Sequence, residues 1–307
     1  MFEPQHIACA VDLSIHTATV LRWGEWLARL FSARLTVFHA INAAQQDPFP
    51  GTAIFERSGQ LAHLMDAARR QLAEATAPFD HIDACRVVAG DPVETLIAFS
   101  RSAAVDLVVA ASHGLSGIRR VLLGTVVERL ARQLEGPLLV VRVPPNRPPD
   151  RPGFRKIAVA CDLSNAPCEA LGTAAAVARR CGARLFLLNA MVLPVMADLL
   201  DPTDGPYGEV QAELERRLRG RLGKMMTAEG VDLGAARIDL RHGPAPEILP
   251  DYIREVQADL AVVGVQARRR FKKFIVGSTT EAVLRHAPCA ILTVPHAAAA
   301  GAEINAL

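Results

Sequence analysis

Hydrophobic positions along this chain switch between two periods. In the first half, IACAV (7–11), LTVF (35–38), CRVVA (85–89), LVVAA (107–111) and LLVVRV (138–143) are short apolar runs almost without polar interruption. Such runs suit strands of a parallel sheet covered on both faces. Between them apolar residues recur near every 3.6 positions. Over 16–33, Val20, Leu21, Gly24, Leu27, Ala28, Leu30 and Phe31 form one stripe, the mark of a helix with one buried face. The alternation reads β-α-β-α-β-α-β-α-β and predicts an open α/β/α sandwich of three layers. Two longer stretches, 42–57 and 192–209, contain Pro, Gly and Asp and predict surface loops.

The second half repeats the first. HIACAVDLS (6–14) recurs as IAVACDLS (157–164), and ARLTVFHAI (33–41) as ARLFLLNAM (183–191). VVAGDPVETLI (87–97) recurs as LRHGPAPEIL (240–249), and AVDLVVAASHG (104–114) as QADLAVVGVQA (257–267). LLGTVVERLARQLEGPLLVVRVP (122–144) recurs as IVGSTTEAVLRHAPCAILTVP (275–295). The offset drifts only from 150 to 153, the sign of a duplicated domain. Between the copies, PPNRPPDRPGFR (144–155) has five prolines in twelve residues. Proline neither continues a helix nor donates to a central ladder, so this segment reads as a stiff linker. The predicted organisation is a first domain over 1–146, a linker over 147–155, a second domain over 156–298 and a tail over 299–307.

Composition narrows the function classes. The chain of 307 residues is 50% hydrophobic and carries 34 basic against 32 acidic side chains, a net charge of +2. That balance gives no general attraction to nucleic acid or to an anionic membrane. No signal peptide is evident at the start, and no run reaches the ~18–20 apolar residues of a membrane span. The six cysteines show no CxxC pairing, which fits a reducing cytoplasm. A metal site from Cys161, Cys168 and Cys181 lacks a recognised ligand spacing.

In open parallel sheets, ligands collect beyond the carboxyl ends of the strands, where the strand order reverses. In the first copy, strand one ends at Asp12 and strand four at Ala111. Ser112-His113-Gly114 follows, then a nine-residue spacer (115–123), then Gly124-Thr125 at a helix start. The second copy has Gly264, two residues, Ala267, nine residues and Gly277-Ser278. Small residues let backbone N–H groups approach a polyphosphate, and a helix N-terminus supplies free donors and the positive end of a dipole. Thr125 or Ser278 adds a hydroxyl, and an Asp ending strand one can accept from a base or ribose. Taken alone, Asp12 and Asp162 read equally as N-caps of the next helix.

This doubled pattern resembles the signature of the universal stress proteins: Gly, two residues, Gly, nine residues, then Gly and Ser or Thr. The resemblance covers nearly the whole chain, twice. It implies two tandem Rossmann-like domains, each with five parallel strands in the order 3-2-1-4-5. It implies ATP, with or without Mg2+, held by Asp12, Ala40, Ala111, Gly114, Gly124 and Thr125. In the second copy the corresponding residues are Asp162, Ala190, Gly264, Ala267, Gly277 and Ser278. Ala111 and Ala267 each replace a glycine of the pattern. Ala111, just after strand four, is expected in extended backbone. Ala267 is expected within a turn, where a positive φ would cost alanine about 1 kcal/mol, so the first site ranks above the second. Arg268, Arg269, Arg270, Lys272 and Lys273 in the second spacer offer cations for phosphates. The same run reads otherwise as a solvated face. The last strands, Pro137–Val143 and Pro288–Val294, would lie at a sheet edge, through which the family commonly dimerises. The resemblance thus implies a pseudo-dimer of the two copies, with a homodimer as a further option.

The function expected from the resemblance is an ATP-binding stress-response sensor or regulator. A nucleotide-free interaction scaffold and a weak ATPase are the alternatives. No lysine precedes residue 156, which rules out GxxxxGK[ST] in the first copy, and Lys224 is followed by Met225. No GxGxxG follows a first strand, and no HxGH loop is present. His113 has Gln266 at its place in the second copy and no Ser/His/Asp partners nearby. Gly90-Asp91-Pro92 and Gly243-Pro244 read as strand-to-helix turns with no assigned chemistry.

Overall fold

The computed structural model describes residues 2–42, 54–112, 124–142, 152–162, 168–191, 205–268, 273–275 and 277–296. The chain divides into two compact units, Glu3–Gly153 and Phe154–Leu307.

In the first unit β1 (His6–Ala10), α1 (Thr17–Phe31), β2 (Arg34–Ile41), α2 (Ile54–Thr76), β3 (Ala84–Ala89), α3 (Pro92–Ser102), β4 (Leu107–Ala111), α4 (Thr125–Gln133) and β5 (Leu138–Val141) follow in order. The strands pair in parallel as β3-β2-β1-β4-β5, with Ile7 beside both Leu35 and Leu107, and Val108 beside Leu138. The central strands are buried on both faces, as their unbroken apolar runs require. Edge strand β3 has no fully buried residue. Right-handed crossovers place α1 and α2 on one face of the sheet and α3 and α4 on the other, and the helices touch within these two pairs.

The second unit repeats the plan with β6 (Lys156–Ala160), α5 (Glu169–Cys181), β7 (Arg184–Met191), α6 (Gly205–Ala228), β8 (Ala236–His242), α7 (Ala245–Val256), β9 (Leu260–Arg268), β10 (Lys273–Ile275), α8 (Ser278–His286) and β11 (Ala290–His296). Its parallel order is β8-β7-β6-β9-β11. The short β10 folds back antiparallel on β9, Phe274 opposite Ala267. Two sequence expectations change here. Helices α2 and α6 start at Ile54 and Gly205, inside the stretches predicted as loops. Ala267 is part of a strand, not a turn. Extended backbone accepts alanine without strain, so the expected penalty does not arise.

Matching polar devices lock each sheet. Asp106 Oδ2 accepts from the Gln5 and His6 N–H groups at 2.8 and 2.9 Å; Asp259 Oδ2 does the same for Arg155 and Lys156 at 2.8 and 2.9 Å. The Gly90-Asp91-Pro92 turn is a second device. Gly90 has φ 141°, and the Asp91 side chain caps α3 by accepting from Val93 and Glu94 N–H at 2.9 and 3.1 Å. Arg129 on α4 donates to both Asp91 oxygens at 2.7 and 3.0 Å, which ties α4 to the start of α3. That guanidinium, with the backbone N–H groups, holds the Asp91 carboxyl below the usual carboxylate range.

Asp91→Ala is therefore expected to cost about 1–2 kcal/mol, chiefly as a lost cap. Asp91→Asn keeps the cap and loses only a partly exposed ion pair, so its cost stays below about 1 kcal/mol. Because the folded pKa is depressed, the charge-dependent share of this stability is complete above the unfolded value near 3.9. It is lost as pH falls through the folded value. Urea titrations of the wild-type and Asp91→Asn chains at pH 7 and at about pH 3 should show the gap closing at the lower pH.

Candidate functional site

The strand order of each unit reverses between its first and fourth strands, so β1 and β4 diverge at their carboxyl ends. A cleft of about 680 Å³ opens there, lined by residues following β1, β2 and β4 and by α1–α4. Of the residues singled out in the sequence, Asp12, Ala40, Ala111, Gly124 and Thr125 line it together. Gly114 and His113 lie outside the described residues. Ala111 is the last residue of β4 and is extended, as expected.

Local forces shape this wall. Val11 N–H donates to Phe38 O at 3.0 Å and continues the ladder one residue past β1. The chain then turns sharply: Leu13 holds φ 57°, a left-handed conformation that costs a leucine about 1–2 kcal/mol. Asp12 Oδ1 accepts from Ser14 N–H at 3.1 Å and braces the turn. Backbone strain of this kind concentrates at binding sites. Neither aspartate is a helix cap, because His16 is the N-cap of α1 and Cys168 that of α5.

Three helices present their N-terminal turns to the cleft: α1 through Thr17, α3 through Pro92, and α4 through Thr125, Val126 and Val127. Gly124, the N-cap of α4, has φ −61° and ψ 139° and offers no side-chain cap. The first N–H groups of α4 therefore have no capping side chain, and dipole and donors favour an anion at this end. Two buried polar atoms at α1, His16 Nδ1 and Thr17 Oγ1, have no hydrogen-bond partner among the described residues, and both residues line the cleft. An unsatisfied buried polar group costs about 1–3 kcal/mol, so each is a contact in reserve for a ligand or water. Apolar surface from Val20, Phe38, Leu64 and Leu96 completes the wall. Among the described lining residues Asp12 is the one carboxylate, and there is no Lys or Arg.

One matched pair, His39 of the first cleft wall and Asn189 in β7, was not picked out in the sequence. His39 Nδ1 lies 2.8 Å from Val11 O; a carbonyl only accepts, so Nδ1 carries the proton. In the second unit Asn189 Nδ2 donates to Cys161 O at the same 2.8 Å. Each side chain ties the end of the first strand to the second. The repeat contained the signal, since His39 and Asn189 are matched polar residues within apolar strands.

The second unit has a smaller cleft of about 370 Å³, where Asp162, Ala190, Gly264, Gly277 and Ser278 come together. Gly264 O accepts from Thr280 Oγ1 at 2.8 Å, which joins β9 to α8. A Cβ at Gly264 or Gly277 would meet no atom of the described residues within 4 Å, so among them nothing in the packing demands glycine at either position. Ala267 lies three residues beyond Gly264 in β9. Of the basic run, Arg268 is in β9 and Lys273 in β10, while 269–272 lie outside the described residues. Cys161 and Cys168 line this cleft. Cys181 ends the helix that Cys168 begins, about 20 Å away at 1.5 Å per residue, so the three do not form one ligand set. Among the described residues no group of three His, Cys, Asp or Glu is placed to hold a metal. No helix among them is long and apolar enough to cross a membrane.

Fold and clefts together define a tandem of open parallel α/β domains, each with a crevice at its topological switch point. The model of the universal stress protein family matches residues 3–142 and 153–295. The chain belongs to that family, in two tandem copies. It is 26% identical over 296 residues to a universal stress protein of Mycolicibacterium smegmatis, across 94% of this chain and 96% of that one. A universal stress protein of Mycobacterium tuberculosis is 28% identical over 302 residues, across 92% and 95% of the two chains. The crystal structure of a universal stress protein from Archaeoglobus fulgidus shares the fold, with a TM-score of 0.69 at 20% identity over 96% of this chain and all of that one.

Proposed function

We propose that this universal stress protein binds an adenine nucleotide, ATP foremost, in the cleft of its first copy, and acts as a stress-response sensor or regulator. The observation that carries the reading is the convergence of three helix N-termini and two unsatisfied buried polar atoms on one cleft. Its volume of about 680 Å³ falls within the roughly 300–1,000 Å³ of small-molecule sites. In this reading Gly124, Thr125 and the first turn of α4 receive phosphate, and Asp12 accepts from the ribose or base. Ala40, Ala111 and Gly114 give close backbone approach. Mg2+, where it accompanies ATP, would draw on Asp12. A second, lower-ranked site in the narrower cleft of the other copy comprises Asp162, Ala190, Gly264, Ala267, Gly277 and Ser278. A ligand that prefers the ordered cleft shifts the protein toward that state and so changes its stability or partner choice.

The proposal extends to a cytoplasmic location and to pairing through the last strand of each copy, within one chain or between two. Sedimentation that finds only the single-chain mass at all concentrations would remove the homodimer. A nucleotide-free scaffold is the second reading, favoured by the lack of Lys and Arg among the described cleft residues. A weak ATPase is separated by turnover of labelled ATP. Thermal unfolding with added ATP tests the main reading. At about 100 times Kd a ligand adds about 2.7 kcal/mol, or roughly 5–10 °C for a domain of this size. No shift at millimolar ATP would move the reading to the scaffold.

A further inference from the structure

We propose that Cys161 and Cys168 are an oxidisable thiol pair, a modification site in the wall of the second cleft that closes to a disulfide on exposure to peroxide. Six residues separate the two in sequence, yet both line one cleft, and each thiol is the foremost influence on the other. Cys168 is half-buried at the cleft wall and is the N-cap of α5, while Cys161 is buried at the end of β6. The first copy has His16 as the N-cap of α1 and Val11 past β1, so only the second cleft has this chemistry.

The environments assign different roles to the two sulfurs. The Cys161 thiol beside it holds the Cys168 thiol below its ordinary pKa despite burial, at the first turn of α5, where the Leu171 N–H donates to the Cys168 carbonyl at 2.8 Å. A helix N-terminus stabilises thiolate in the same way. Cys161 is pushed up, first by the neighbouring Cys168 and then by burial. It keeps its proton, with Asp162 O at 3.2 Å as a further acceptor. Cys168 is therefore the attacking thiolate and Cys161 the resolving thiol, an arrangement characteristic of redox-responsive cysteines.

The steps balance with hydrogen peroxide as oxidant. Cys168 thiolate attacks one peroxide oxygen, the O–O bond breaks, and sulfenic acid and hydroxide form. The Cys161 sulfur then displaces that hydroxyl group, the S–S bond forms, and the Cys161 proton leaves with the hydroxyl group as water. Overall two thiols are oxidised and one peroxide is reduced to two waters. The other cysteines are placed differently. Cys9 is fully buried and its thiol is pushed up to about 12 by that burial; Cys181 is pushed up to about 11, also by burial; Cys85 is exposed on edge strand β3.

The test uses the full reduced chain and a small excess of hydrogen peroxide, quenched by alkylation, then unfolded for thiol counting and peptide mapping. Free thiols should fall from six to four, with one cross-linked product joining Cys161 to Cys168. Its formation should outpace modification of Cys85 by about tenfold or more. Cys161→Ser should accumulate a Cys168 sulfenic acid that dimedone captures, and Cys168→Ser should leave Cys161 reduced. Circular dichroism checks that both variants fold; should either fail, the wild-type peptide map decides alone. Oxidation of Cys85 ahead of the pair, or a Cys168 sulfinic acid beside a free Cys161, would overturn the proposal.

Discussion

Gly24→Ala is expected to destabilise the first domain by about 2–3 kcal/mol, although alanine in an exposed helix would gain about 1 kcal/mol over glycine. Gly24 is on the face of α1 that rests on β1. A Cβ there would overlap Cys9 Sγ and stand 3.3 Å from Leu35 Cδ1. Cys9 and Leu35 are both fully buried, and the Cys9 thiol donates to Val20 O at 3.5 Å, so the sulfur has no open space to enter. Overpacking of this kind costs about 1–3 kcal/mol and here outweighs the gain in helix propensity. Cys9→Ala removes the obstructing sulfur. The double variant should therefore recover most of the loss, giving a strong non-additive term. The chain's two tryptophans, Trp23 and Trp26, are both on α1, so their fluorescence in a urea titration reports this domain. A Gly24→Ala chain as stable as wild type, or a purely additive double variant, would contradict the packing account.

Gly124→Trp is expected to weaken nucleotide binding at the first cleft by at least about tenfold, or 1.4 kcal/mol. The N-cap glycine has an ordinary extended conformation, so tryptophan fits the backbone, and its indole would occupy space beside the first turn of α4. Gly277→Trp is the matched change at the second cleft, where an added Cβ meets no atom of the described residues within 4 Å. If the larger first cleft is the main site, calorimetric titration should find Gly124→Trp damaging and Gly277→Trp nearly silent. The reverse pattern would assign nucleotide to the second copy.

Much of this architecture is legible in the sequence because buried parallel strands leave a plain trace. IACAV and LVVAA can lie only between two helical layers, and their recurrence at a steady offset marks the second domain. The glycines and small residues of both clefts follow from the same repeat. What escaped reading depends on distant partners. Nothing local tells that Asp106 will bind the start of β1, or that Arg129 will reach Asp91. The β9–β10 hairpin was hidden because its basic residues read as a solvated spacer, and Ala267 was read through the family's glycine. The helix starts at Ile54 and Gly205 follow Pro- and Gly-containing stretches that mimic loops. The unpaired His16 and Thr17 atoms emerge only once α1 is packed.

The central claim is that the first cleft holds an adenine nucleotide. Denaturing the purified chain and quantifying released adenine nucleotide tests it most directly. The account predicts about one nucleotide per chain, lost in Gly124→Trp and retained in Gly277→Trp; no released nucleotide, together with no thermal shift at millimolar ATP, would contradict it.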